Sequence, residues 1–509
     1  MDSLNYKNFL FDIDFQNLFP EIYLTSVALA LLLYGVVYST LASKNYPILG
    51  TNLSWLSLLS IVYCFALVLN NPIENAVLLY NTFVIDNFTL FIKGILLLSS
   101  FFSIFIAINY TTQETLNAFE AVLLVLFSIL SMLFLVSSAD FISLYLAIEL
   151  QSLCFYVLAA LKRNSEFSTE AGLKYFFLGA FSSGLLLFGC SLIYGFTGVT
   201  NFSEIAKIFT GGTQDILVTT SSLPVCELGM VFLVVGFLFK IAAAPFHMWS
   251  PDVYEGAPTS ITAFFMITPK AALMAVFIRI FFESFYEFFS PWQTLVIVSS
   301  ISSLLIGSLA ALSQTKIKRL LAFSSIGHVG YLLAGLACGT LEGVQALLIY
   351  LVVYIVMNIT IFAILLCSLR RDSAVAHSPR MKYITDLSYL AKTNPILALT
   401  FTISMFSMAG IPPLAGFYSK AYLFFATMSS GLYSLAIIGV LTSVLSCFYY
   451  IRLVKIMYFE VPKNWCSYTQ VPYENALTLG ISLFFLGFLM MYPSPLHLIT
   501  HKISLVVCS

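Results

Sequence analysis

The stretch GFLFKIAAAPFHMW, Gly236–Trp249, sets Lys240 in the middle of an apolar run and places Pro245 five residues later. A helix of this composition suits lipid, where a proline removes an intrahelical hydrogen bond and frees a carbonyl that water or polar side chains must then satisfy. A charge beside such a gap predicts a broken, hydrated membrane helix.

Working outward, the whole chain has the same character. Of its 509 residues, 60% are hydrophobic and only 9% charged, with a mean hydropathy of +0.95, whereas soluble domains carry about 25% charged residues. The chain reads as a polytopic membrane protein. Its 23 basic and 24 acidic residues nearly cancel, which leaves no basic surface for nucleic acid and excludes that class of partner. The nine cysteines are scattered singly, with no CxxC pair for zinc or an iron–sulfur cluster. They read as small core residues. The N-terminal segment lacks the basic region and cleavage site of a secretory signal and the Arg/Ser-rich character of a transit peptide, so insertion without processing, or synthesis in the compartment of use, is expected.

A membrane-spanning helix needs about 20 mostly apolar residues. That rule predicts an all-α fold of about fourteen transmembrane spans, at 21–40, 51–70, 88–109, 118–136, 140–161, 170–196, 226–249, 258–283, 292–312, 319–338, 343–369, 395–428, 430–457 and 475–500. Loops after odd-numbered spans hold fourteen basic residues and the opposite side holds three, Lys7, Lys207 and Lys502. The positive-inside rule therefore turns the basic loops toward matrix or cytoplasm and both termini to the other side. The polar segments near 198–224 and 370–394 read as surface loops. One membrane domain is expected, with N-terminal spans in 1–117, a first repeat in 118–283, a second in 292–457 and a C-terminal helix in 458–509.

A charge at mid-membrane costs roughly 2.5–3.5 kcal/mol on insertion scales, so it persists only if paired, hydrated or functional. Lys93 and Arg279 lie near span ends and are expected to snorkel. Glu149, Lys240, Lys270 and Lys420 have apolar sequence on both sides and no such escape. Lys240 precedes Pro245, Lys270 follows Pro269, and Lys420 follows Pro412 and Pro413. Interrupted spans 7 and 12 at corresponding places in two halves point to an ion site in an inverted-repeat transporter, with spans 4–8 and 9–13 as the repeats. Glu149 and Lys240 are expected to form an ion pair. Lys174, one turn into its span, and the histidines His247 and His328 are candidate relays, since imidazole titrates near neutrality. His377, His497 and His501 carry no assigned role.

Five motifs fit together: AIELQSLCFYVLAA (Ala147–Ala160), STEAGLKYFFLGAFSSG (Ser168–Gly184), GFLFKIAAAPFHMWSPDVYEGAPT (Gly236–Thr259), QTKIKRLLAFSSIGHVGYLLAG (Gln314–Gly335) and MAGIPPLAGFYSKAYLF (Met408–Phe424). From about span 4 to span 13 the sequence resembles the chain 2 family of NADH-ubiquinone oxidoreductase, respiratory complex I, in its mitochondrial or alphaproteobacterial form. The resemblance implies an antiporter-like fold with two inverted five-helix repeats, and a proton-pumping subunit of the membrane arm. It implies that Glu149 pairs with Lys240, that Lys270 continues a central axis and that Lys420 ends it; Lys174 and His247 also match family positions. NADH, FMN, iron–sulfur clusters and ubiquinone would belong to partner subunits, with no cofactor in this chain, and this sequence has no glycine-rich dinucleotide loop. Implied partners are other complex I membrane-arm subunits, including a neighbouring antiporter-like subunit, and membrane lipids. The implied location is the mitochondrial inner membrane, or a bacterial plasma membrane. The competing readings are a subunit of a multisubunit Na+/H+ antiporter or of a membrane-bound hydrogenase, and a structural scaffold whose charges form static pairs.

Overall fold

The computed structural model describes residues 14–39, 46–71, 75–114, 119–211, 223–367, 370–371, 381–388, 390–460, 467–468 and 470–508. Among them, thirteen helices are long and apolar enough to cross a membrane. Spans 1–6 are Phe19–Ser39, Tyr46–Leu69, Asn87–Gln113, Phe119–Ser137, Phe141–Ala159 and Glu166–Thr197. Span 7 is Leu223–Ile241 and span 8 is Thr259–Ser284. Spans 9–11 are Phe289–Leu312, Ile317–Ala337 and Leu341–Cys367; spans 13 and 14 are Tyr433–Phe459 and Tyr473–Met491. Span 12 is two shorter helices, Pro395–Ala409 and Ala415–Ser429. The chain is a multi-pass membrane protein, almost entirely helical.

Span 8 is buried along its apolar length and spans 10 and 11 nearly so, which makes them the centre of the bundle. Spans 1, 6, 13 and 14 turn large apolar side chains outward, among them Leu33, Phe177, Val444 and Phe484, as lipid or a neighbouring membrane chain requires. Spans 9 and 10 approach closely through small residues, because a Cβ on Gly307 would collide with the Gly327 backbone. Cys64, Cys154, Cys190, Cys226, Cys338, Cys367 and Cys447 are free thiols, all but Cys447 buried, in keeping with a packing role.

Two expected boundaries move. The run 475–500 is not one helix: span 14 stops at Met491, ahead of Pro493, and a second helix runs Ser494–Cys508, since a residue before proline is driven out of the helical region. The segment after Gly198 carries a short helix, Phe202–Phe209, which buries Phe202, Ile205 and Ile208 and is capped by the Asn201 side chain accepting from the Ser203 N–H at 3.1 Å. In the other polar segment Arg370–Arg371 pairs with Ser467–Tyr468. Residues 212–222 and 372–380, with His377, lie outside the described residues.

Both breaks are made the same way. Span 7 ends as Ala242 turns left-handed (φ +63°), with the Ala243 N–H donating to the Leu238 carbonyl at 2.9 Å and the Ala242 N–H to Phe239 at 3.0 Å. In span 12 Gly410 takes that conformation (φ +86°), with the Ile411 N–H donating to Phe406 at 3.0 Å and the Gly410 N–H to Ser407 at 3.1 Å. This crossed pair of hydrogen bonds closes a helix C-terminus and leaves its last carbonyls exposed to whatever lies beyond. Around the first break the Trp249 indole donates to the Phe239 carbonyl at 3.0 Å, and the Ser302 hydroxyl to Ala244 at 3.0 Å. These contacts satisfy broken backbone at membrane depth.

Candidate functional site

Each break holds a lysine at a helix C-terminus. Lys240 is in the last turn of span 7. Lys420 belongs to the second half of span 12 and reaches back, donating to the Met408 carbonyl at 2.8 Å and the Ala409 carbonyl at 3.0 Å. The unsatisfied carbonyls and negative dipole end of a half-helix favour a cation there, and the break in span 12 seats the Lys420 ammonium directly on two of them.

Lys270 sits one residue after Pro269 in span 8 and is only 3% exposed. Its ammonium donates to the Tyr354 hydroxyl at 2.9 Å and the Ser325 carbonyl at 3.4 Å, and lies 5.1 Å from the centre of the Tyr354 ring. Lys420, 5% exposed, lies 5.2 Å from the Tyr331 ring centre. Neutral oxygens and aromatic faces surround both charges.

Two cavities join these groups. The first, about 30 Å3, is lined by Lys240 and Lys270 together with Gln151, Ser152, Tyr175, Trp249 and Tyr254. The second, about 10 Å3, is lined by His328 and Lys420 with Ser324, Tyr331, Thr442, Ser446 and Tyr450. A water needs about 10–15 Å3 and two or more polar partners, so the first cavity suits about two waters and the second about one. Tyr354 links the two cavities: it is hydrogen-bonded to Lys270 of the first, and its ring centre is 5.4 Å from that of His328 of the second. Lys240, Lys270, His328 and Lys420 thus follow one another through a shared cavity, the Lys270–Tyr354 hydrogen bond, the Tyr354–His328 ring contact and a second cavity.

Other expected site residues lie elsewhere. The expected ion pair is not made: no N–O contact within 4 Å joins Glu149 and Lys240, and the Glu149 Oε1 atom is buried without a hydrogen-bond partner. Lys174 is at the bundle's edge with its side chain 43% exposed, 2.7 Å from Glu170 and 2.9 Å from Asp252. It belongs to a charged cluster on the short helix Trp249–Gly256, where Arg319 meets Asp252 at 3.4 Å and Glu255 at 3.6 Å, and Lys316 also pairs with Glu255. His247 is buried in the break of span 7 but lines neither cavity.

Lys93 and Arg279 do not snorkel. Lys93, 2% exposed, pairs with the equally buried Glu21 at 2.5 Å, joining spans 1 and 3. Arg279 donates to Asp86 at 2.5 Å and to the Val136 carbonyl at 3.2 Å, tying span 8 to the start of span 3 and the end of span 4. Each found a carboxylate far away in sequence, which removes the need to reach water. The tyrosines around His328 also went unread, because tyrosine in an apolar span looks like ordinary packing. Among the described residues no cluster of three His, Cys, Asp or Glu side chains could hold a metal ion.

The chain is similar in sequence and fold to known proteins. Residues 138–446 match the family described as NADH:quinone oxidoreductase/Mrp antiporter, TM. The chain is 57% identical to NADH-ubiquinone oxidoreductase chain 2 of Marchantia polymorpha, over 98% of this chain and 100% of that one. It is 44% identical to NADH-quinone oxidoreductase subunit N of Parvibaculum lavamentivorans, over 95% of this chain and 96% of the relative. Among solved structures, a chain of respiratory complex I from Thermus thermophilus with bound aureothin aligns with a TM-score of 0.76 and 28% identity, covering 94% of this chain and 98% of that one. Identity at this level along nearly the entire length, on a fold shared with a complex I chain, makes the protein a member of the NADH-ubiquinone oxidoreductase chain 2 family, whose bacterial counterparts are called subunit N.

Proposed function

We propose that this chain is a proton-translocating membrane subunit of respiratory complex I, coupling electron transfer from NADH to ubiquinone in partner subunits to proton movement along Lys240, Lys270, His328 and Lys420. The observation that carries this reading is the pairing of titratable groups on two internal cavities, Lys240 with Lys270 on the first and His328 with Lys420 on the second. A lysine held only by neutral oxygens can give up its proton without leaving a stranded carboxylate, and lysine pKa values move readily on burial. Spans 4–8 and 9–13 would act as inverted repeats, each with its own broken helix and lysine. Glu149, with one carboxylate oxygen unpaired, would approach Lys240 in only part of the cycle, and Lys174 would act at the surface through Asp252 rather than in the axis. Other membrane-arm subunits would cover the outward apolar faces, the redox cofactors would sit in partners, and the location would be the mitochondrial inner membrane or a bacterial plasma membrane.

A proton suits the site better than sodium does. Neither cavity wall carries a carboxylate, and fixed ammonium groups repel a metal cation in a medium of low dielectric. The test is NADH-driven, rotenone-sensitive acidification by the assembled complex in vesicles, measured with and without sodium. Equal rates in sodium-free medium are expected; a strict sodium requirement would favour the Na+/H+ antiporter reading.

A further inference from the structure

His328 is held by tyrosines at both ring nitrogens. Nδ1 lies 2.6 Å from the Tyr350 hydroxyl, and Nε2 lies 3.1 Å from the Tyr450 hydroxyl. The two sides are not equivalent. Tyr350 is fully buried and lines neither cavity. Tyr450 also hydrogen-bonds Ser324 and lines the small cavity that contains Lys420. A proton on Nδ1 therefore faces a closed end, and a proton on Nε2 faces the route to Lys420.

We propose that the Tyr450 hydroxyl is the proton-carrying link between His328 and Lys420, and that Tyr350 is a positioning residue that sets the imidazole tautomer. The inference rests on the function proposed above and adds to it the group that bridges span 10 to span 12. When the Tyr350 hydroxyl donates to Nδ1, the neutral ring carries its hydrogen on Nε2 and donates to Tyr450; when Tyr350 accepts, Nε2 is free to take a hydrogen from Tyr450. In the forward hop the Lys270 ammonium gives up its proton to the ring and is left as a neutral amine; the Nε2–H bond of the resulting imidazolium then breaks and an O–H bond forms on Tyr450. The original Tyr450 proton leaves for a cavity water and then the neutral Lys420 amine. The histidine and tyrosine end neutral and Lys420 ends as ammonium, so charge and atoms balance without a phenolate. Ser324, one turn before His328, holds the hydroxyl between hops.

The test is Tyr450→Phe in the assembled complex in vesicles, which keeps the ring and removes only the oxygen. Positioned acid–base groups contribute about 10²–10⁴-fold; with a water-sized cavity alongside to carry part of the flux, proton translocation and coupled quinone reduction are expected to fall about tenfold. Assembled content and NADH oxidation by an artificial acceptor should hold, and the solvent isotope effect should rise. Tyr350→Phe should give a smaller fall and shift the pH profile, which simple loss of packing would not do. Wild-type translocation by Tyr450→Phe overturns the proposal. If that variant does not assemble, difluorotyrosine at position 450 keeps the hydroxyl while making it more acidic, and an unchanged solvent isotope effect then overturns it. Lys420→Ala is the control: if it abolishes translocation while Tyr450→Phe does not, only the tyrosine link fails, and if neither variant has an effect the proton-axis reading fails with it.

Discussion

Glu149 and Lys240 form no ion pair: the carboxylate keeps one buried oxygen unpaired while the lysine faces the cavity it shares with Lys270. A static ion pair would have closed this gap, because removing two charges from water is repaid only by tight, fully hydrogen-bonded geometry. The separation instead fits a contact that forms and breaks. Under that account the double variant Glu149→Gln/Lys240→Met assembles but stays deficient in translocation at matched complex content, as read by a pH-sensitive dye in vesicles. Rescue of translocation by combining the two changes would return the pair to a purely structural role.

The Glu21 and Lys93 pair behaves differently, since both side chains are buried and in contact. Removing one partner strands the other, at a cost of about 3–5 kcal/mol. Glu21→Ala should therefore lower the thermal stability and abundance of the assembled complex, and Glu21→Leu combined with Lys93→Met should recover most of both. Thermal melting of the purified complex reads both effects.

These contrasts show what the sequence could and could not convey. Span positions followed from hydropathy, because bilayer thickness fixes the length of an apolar run, and the breaks followed from Pro245 and the Pro412 and Pro413 pair. Lys240, Lys270 and Lys420 stood out because apolar flanks leave a charge no path to water. Partners distant in sequence did not stand out. Glu21 is 72 residues from Lys93 and Asp86 is 193 residues from Arg279, and no periodicity links such pairs. Asp252 draws Lys174 to the bundle's edge for the same reason. Tyr350, Tyr354 and Tyr450 carry no charge to mark them in an apolar span, and only the fold brings their hydroxyls to Lys270 and His328.

The break in span 12 depends on two glycines. A Cβ on Gly416 would fall on the Ser407 carbonyl oxygen, a backbone atom that cannot swing aside. Gly416→Ala should cost about 1–3 kcal/mol by overpacking and lower the amount of assembled complex. Gly410 is left-handed, and a Cβ there would come within 2.9 Å of Lys420 Cδ. Gly410→Ala should displace the ammonium from the Met408 and Ala409 carbonyls and slow translocation more than it lowers assembly. Both ratios can be read from complex content and dye-measured pumping in one preparation.

The Ala242 turn in span 7 offers a test in the opposite direction. Alanine in the left-handed region costs roughly 1–2 kcal/mol that glycine does not incur. Ala242→Gly is expected to leave assembly unchanged or raise thermal stability slightly, with translocation intact. A large loss on this substitution, seen by melting of the purified complex, would mean that the alanine side chain has a role beyond packing.

The central claim is that buried lysines take up and release the translocated proton, and Lys270, deep in span 8 on the wall of the first cavity, tests it most directly. The measurement is NADH-driven proton translocation by Lys270→Ala in reconstituted vesicles, normalised to assembled complex. The account predicts that translocation and coupled quinone reduction fall together while the complex remains intact. Normal translocation per assembled complex, with only the yield of assembly reduced, would contradict it and leave these charges a structural role.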